Sequence, residues 1–182
     1  MSGSVSTRIA RTGDNRFLKF VAAVSTLAGW VSAAMILAAV LITCEMIFVR
    51  FVLNHSTIWQ TETVIYLVIS STLIGLPYVQ RLRGHVNVDL FPMSLKGRAR
   101  LWLALLTLGV TIAVVAVMFW YGYEYWRFSW DRNWKSDTVW GARLWIPLFA
   151  LPVGFGLLLL QLSADLVALI LKIEKPYGLE ES

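Results

Sequence analysis

Residues 20–49 read FVAAVSTLAGWVSAAMILAAVLITCEMIFV, and within them the only ionisable groups are Glu45 and the thiol of Cys44. A helix rises 1.5 Å per residue, so about 20 residues cross a hydrocarbon core of about 30 Å. The run is long enough to cross. It is also far longer than the apolar part of a cleavable secretion signal, about 7–15 residues, so it is expected to stay as a membrane span.

Three further stretches of the same kind follow, at Thr61–Val79, Leu101–Tyr123 and Leu144–Leu171. Helix is forced in each. Lipid offers no partner to an open backbone group, and no stretch shows the alternation that a barrel strand requires. The second run is short but gains length at Trp59 and Gln60. Pro77 falls in its last turn, where a proline disturbs little, and Pro147 falls in the first turn of the fourth. Pro152 lies deeper, with Gly154 and Gly156 close by, and is expected to kink that helix. Composition agrees with this reading, since 58% of the 182 residues are hydrophobic and 15% are charged. A soluble domain of this size has neither the core to hide such an excess nor the polar residues to coat it. The expected organisation is an all-α integral membrane protein. Residues 1–19 form a cytoplasmic segment, 20–171 a membrane domain of four transmembrane helices, and 172–182 a cytoplasmic tail. No internal repeat or low-complexity tract interrupts it.

Charge sets the orientation. Arg8, Arg11, Arg16 and Lys19 precede the first span. Arg81, Arg83, Lys96, Arg98 and Arg100 lie between the second and third, and Lys172 and Lys175 follow the fourth. Those eleven share one side; Arg50, Arg127, Arg132, Lys135 and Arg143 make five on the other. Lys and Arg stay with the cytoplasm, so both termini are expected inside. The net charge of +5 then reads as a topology signal and as contacts to the inner leaflet. Nucleic-acid binding is the weaker reading, because the basic residues are spread over short segments beside spans.

Chemistry is sparse. Cys44 is the only cysteine, which excludes an intrachain disulfide and any paired-cysteine metal or redox motif. His55 and His85 fall in loops on opposite faces and cannot share a haem or metal. There is no Gly-rich phosphate loop and no Ser/His/Asp set. Neither catalytic residue, metal site nor cofactor is expected, and the chain does not read as an enzyme. Glu45 lies about 16 Å from the midpoint of its span, and Asp165 about 11 Å from its own. One reading makes each a capped or interface-reaching acid. The other makes it a proton or ion ligand, which a small exporter would want nearer mid-membrane.

Small residues mark where helices approach one another. Ser25, Gly29 and Ala33 recur every fourth residue on the first span, and Ser71 and Gly75 on the second; packing within the bundle and packing on a partner protein both account for them. Trp126, Trp130 and Trp134 follow the third span at i, i+4, i+8 spacing, with Trp140 and Trp145 beyond. The plain reading is an aromatic belt on a short interfacial helix. The functional one is an outer ledge that a periplasmic protein touches, with Asp131, Arg132, Lys135 and Asp137 supplying charge.

From the second span onward the sequence resembles a known family. Arg50-Phe51-Val52-Leu53-Asn54, then Trp59-Gln60-Thr61-Glu62, then Gly75, then Arg83-Gly84-His85-Val86-Asn87-Val88-Asp89 stand in order. Trp140-Gly141-Ala142, Leu144-Trp145-Ile146-Pro147 and Leu151-Pro152-Val153-Gly154-Phe155 complete the set. Together they look like the small membrane subunit of tripartite ATP-independent periplasmic (TRAP) transporters, the DctQ-like small permease. The likeness runs from about Ile47 to Leu171. At Gln60-Thr61 the sequence departs from it, since the family often carries a further acid before the glutamate.

The resemblance implies a symporter of three parts in the bacterial inner membrane. A periplasmic substrate-binding protein captures an organic acid, a large membrane subunit moves it with an ion gradient, and the small subunit scaffolds the large one. The residues agree, because secondary transporters bind substrate at mid-membrane between repeats, and this chain has neither a repeat nor a mid-membrane charge. Under this resemblance Arg50 and Glu62 close the outer loop and are positioned to pair, with Trp59 at the lipid boundary; two separately solvated end charges are the alternative. In the inner loop Arg83 belongs to the motif and Gly84 permits a tight turn. Asp89 caps the segment leading to the third span, and His85 either touches the large subunit or is an ordinary hydrogen-bonded loop histidine. The competing function is a stand-alone homo-oligomeric exporter or channel. A membrane scaffold or sensor unrelated to transport has less behind it.

Overall fold

The computed structural model describes residues 16–82 and 98–171. Helix α1 spans Arg16–Phe51, α2 Ile58–Arg81 and α3 Arg98–Asp131; the single turn α4 at Trp145–Leu148 leads into α5 at Ala150–Ile170. Among the described residues four stretches are long and apolar enough to cross a membrane: Arg16–Phe51, Ile58–Arg81, Leu101–Asp131 and Trp145–Ile170. No strand occurs among the described residues, only an isolated bridge between Lys135 and Arg143. The cytoplasmic segments expected at the two ends lie mostly outside the described residues.

Helix α5 is the centre of the bundle. It packs against α2 on one side and α3 on another and also reaches α1, while α1 and α2 form the most extensive pair. Lipid exerts no hydrophobic pressure on these contacts, so close fit and hydrogen bonds must hold them. The fit is close where side chains vanish. A Cβ at Gly29 would stand 2.5 Å from Cγ of Tyr78, and one at Gly154 would stand 2.6 Å from the carbonyl oxygen of Leu73. Ser25, Gly29, Ser71 and Gly75 thus serve packing within the bundle, whereas Ala33 is exposed and lies off the seam. The seam passes instead through Ser32, whose hydroxyl donates to the Ser71 carbonyl at 2.7 Å. Larger apolar residues fill the two remaining contacts. Leu18 and Val21 of α1 pack with Ala164 and Ala168 of α5, and Val115 of α3 packs with Leu158 and Leu162.

Hydroxyls on the bare faces are satisfied by their own helix. Thr72 donates to the Val68 carbonyl at 2.9 Å, Thr111 to Thr107 at 2.8 Å and Ser163 to Leu159 at 2.8 Å. This i−4 bonding lets a polar side chain face hydrocarbon without an orphaned group.

Helix ends differ from the sequence expectation in two places. The third helix does not stop near Tyr123 but continues to Asp131 as one piece of 34 residues, about 51 Å at the helical rise. It ends because Asn133 adopts φ +47°, with Trp134 N–H donating to the Ser129 carbonyl at 3.0 Å and Asn133 N–H to Trp130 at 3.1 Å. That pair of bonds is a Schellman cap, which asparagine can form because it tolerates the left-handed region. In the fourth span the regular helix is interrupted at Phe149, one turn before Pro152. The Phe149 N–H is shared between the carbonyls of Trp145 at 3.1 Å and Ile146 at 3.3 Å. Pro152 has no N–H to return to Leu148, and its ring crowds that carbonyl, which accounts for the break lying upstream.

Candidate functional site

Polar side chains gather at two levels of the bundle. At the level nearer the N-terminus of α1, Ser25 donates to Gln161 Oε1 of α5 at 2.6 Å. The amide of Gln161 donates to Asp165 Oδ1 at 2.9 Å, and Gln80 of α2 donates to Asp165 Oδ2 at 3.1 Å. Arg81 donates to the Ala22 carbonyl at 2.9 Å and also bonds the Thr26 hydroxyl. The chain of bonds therefore ties α1, α2 and α5 together, with Asp165 accepting from two helices. The sequence named Ser25 and Asp165 but for separate reasons, and it gave no sign of Gln80. The i, i+4 spacing of Gln161 and Asp165 inside an apolar span was the available signal.

At the opposite end of the bundle Glu62 is 8% exposed and accepts a hydrogen bond from the Ser136 hydroxyl at 2.7 Å. Ser136 belongs to the loop between α3 and α4. The loop is closed on itself by Ser136 N–H to the Ala142 carbonyl at 2.8 Å and Leu144 N–H to Trp134 at 3.0 Å, with Gly141 at φ +60°. Glu62 thus fastens a folded loop onto the start of α2. Its other oxygen, Oε2, is buried without a partner among the described residues, as are Gln60 Oε1, Trp126 Nε1 and Ser129 Oγ.

Arg50 and Glu62 do not pair. The Arg50 guanidinium donates to the Thr57 hydroxyl at 3.1 Å, and Glu62 is taken by Ser136. Thr61 shows the reason. Its hydroxyl meets Met46 Sδ at 3.4 Å, so the Thr61 side of α2 faces α1, and the next residue is turned about 100° away from it. Glu62 accordingly looks toward the α3–α4 loop. Trp59, in the first turn of α2, is exposed. The motif residues Arg83, Gly84, His85 and Asp89 lie outside the described residues.

Trp126, Trp130 and Trp134 do not form one helical face, and there is no separate interfacial helix to carry them. Trp126 and Trp130 belong to the C-terminal end of α3. Trp126 meets Phe149 at a tilt, 5.5 Å between ring centres, and Trp130 meets Trp145 edge-on at 4.5 Å. Trp134 comes after the Schellman turn and leans instead on Phe128 at 5.7 Å and Tyr125 at 6.2 Å. The rings join α3 to the entry of the fourth span rather than lining one ledge. The most exposed apolar side chain of the loop is Val139, beside Trp140 at its tip.

No group of three His, Cys, Asp or Glu side chains that could hold a metal ion occurs among the described residues. The Ser25–Gln161, Gln80–Asp165, Arg81–Ala22 and Glu62–Ser136 bonds each join one helix or loop to another. The family model described as "Tripartite ATP-independent periplasmic transporters, DctQ component" matches residues 39–172. Comparison with curated proteins gives no match.

Proposed function

The chain belongs to the DctQ component family of tripartite ATP-independent periplasmic transporters, and from that premise we propose that it scaffolds the large permease subunit during ion-coupled uptake of an organic acid. The family is one of transporter components, not of enzymes, and the chain is its small membrane subunit with four helices long and apolar enough to span. In this reading a periplasmic binding protein delivers the acid, and the large subunit carries it with the ion gradient. The complex sits in the bacterial inner membrane, with both termini of this chain in the cytoplasm.

The observation that carries the scaffolding role is the use made of the interior polar groups. Ser25, Gln80, Gln161 and Asp165 are engaged with one another across three helices. Polar groups committed to holding helices together favour a rigid platform over a path for an anion. Motion then belongs to the partner.

The test is reconstitution. Liposomes containing this chain alone should show no substrate-dependent flux, and liposomes containing it with the large subunit and binding protein should show uptake. The large subunit should also co-purify with it in detergent. Flux through the chain alone would replace this reading with that of a stand-alone exporter.

A further inference from the structure

The loop between α3 and α4 is a hairpin closed in one register. Ser136 N–H donates to the Ala142 carbonyl and Leu144 N–H to the Trp134 carbonyl, which sets Lys135 directly opposite Arg143 in an antiparallel bridge. Bonds placed on either side of a pair, rather than within it, mark the non-hydrogen-bonded kind. Its Cα atoms stand about 4.5 Å apart, and its two side chains leave the same face close together. Side chains alternate along an extended strand. Ser136 turns to Glu62, so Lys135 and Arg143 turn the other way.

Two cations set opposite each other work against the pairing that holds them. No acid of the loop relieves them. Asp131 is taken by Arg127 at 3.8 Å. The side chains of Lys135, Asp137 and Arg143 are exposed and make no hydrogen bond or ion pair with a described residue. The register therefore builds a doubly positive face that nothing else in the described fold uses.

The height of this face says which anion it meets. Arg143 comes three residues before Ile146, an exposed apolar side chain in the first turn of the fourth span. Trp145 lies between them and meets Trp130 edge-on, and tryptophans settle at the headgroup level. The span leaves hydrocarbon at this point, where the nearest anions are lipid phosphates. A guanidinium beside an ammonium offers a phosphate several charge-assisted hydrogen bonds.

We propose that Lys135 and Arg143 together bind the phosphate of an anionic phospholipid where the fourth span meets the headgroups. The site goes beyond the small-subunit reading and does not depend on it, since it requires only a bilayer around this chain.

The experiment titrates the full chain, delipidated in detergent, with phosphatidylglycerol and reads bound lipid by native mass spectrometry. Lys135→Gln/Arg143→Gln should weaken the tightest-bound lipid by about tenfold, and the exchange Lys135→Arg/Arg143→Lys should keep it. Arg16→Gln/Lys19→Gln, at the far end of the bundle, should keep it too. Thermal unfolding separates this role from a structural one. Without lipid the glutamine variant should melt no lower than the parent, because repulsion across the bridge is relieved. With phosphatidylglycerol the parent should gain more than the variant. Unchanged lipid affinity in the glutamine variant overturns the proposal, as does an equal loss from Arg16→Gln/Lys19→Gln. Inorganic phosphate that raises the melting temperature of the parent as much as the lipid does would assign the pair to a soluble anion and overturn the lipid site.

Discussion

The Ser136 hydroxyl lies 2.7 Å from Glu62 Oε1, a contact between residues 74 positions apart that fixes the α3–α4 loop to the start of α2. The carboxylate is buried and its second oxygen has no partner among the described residues, so this bond is the main compensation for its burial. A buried acceptor left unsatisfied costs about 1–3 kcal/mol.

Ser136→Ala should therefore lower stability by about 1–3 kcal/mol, read as a fall in the thermal midpoint of the detergent-solubilised protein. Glu62→Ala removes the stranded carboxylate as well as the bond. The double variant Ser136→Ala/Glu62→Ala should lose clearly less than the two single losses added together. Additive losses would mean that the two side chains do not act on each other.

For Arg50 the expectation is the opposite. It bonds Thr57, not Glu62, so losses from Arg50→Ala and Glu62→Ala should add to within about 0.5 kcal/mol. The exchange Arg50→Glu with Glu62→Arg should restore nothing. Coupling should appear instead between Arg50→Ala and Thr57→Val. Recovery of stability or assembly by the charge exchange would show that the two residues meet after all.

The four helices were legible in the sequence because burial in lipid demands about 20 apolar residues whatever the neighbours are. Their mutual contacts were legible only in part. Gly29 and Gly75 announced close approach by being small, but Ala33 looked equally small and turned out to face outward, since periodicity gives a face without saying what covers it. The long-range partners could not be read at all. Nothing near Glu62 marks Ser136, and nothing near Arg50 favours Thr57 over an acid of opposite charge. The tryptophan spacing misled for a local reason, since one residue in the left-handed region, Asn133, ends the helix before the third ring.

The glycines offer a graded test of helix approach. Gly154→Ala places a Cβ 2.6 Å from a backbone oxygen of α2, which no rotamer change relieves, so α2 and α5 must move apart. The loss should be about 1–3 kcal/mol, the usual range for overpacking. Gly109, on α3, has nothing within 4 Å of such a Cβ. There Gly109→Ala should be neutral or stabilising by up to about 1 kcal/mol, from helix propensity alone. Equal effects at the two positions in a thermal or denaturant series would show that the approach of α5 to α2 is not as close as described.

The orientation of the bundle is open to a direct measurement. Eleven of the sixteen Lys and Arg residues fall on the side of the two termini and the segment joining α2 to α3, and such residues are retained in the cytoplasm during insertion. The opposite side carries the loop that Glu62 holds, with Trp130 and Trp145 meeting edge-on beside it, as tryptophans gather at a membrane boundary. Reporter fusions after Ser94 should therefore be active only as cytoplasmic reporters, and fusions after Asn133 only as periplasmic ones. Weakening the bias tests the cause as well as the outcome. Replacing Arg81, Arg83, Lys96, Arg98 and Arg100 by glutamine leaves six basic residues inside against five outside, so a mixed population should appear at both fusion sites. A reversed pattern in the unmodified chain, or one compartment for both fusions, would rule out four spans with both termini inside. An unchanged pattern in the glutamine variant would show that something other than these five charges directs insertion.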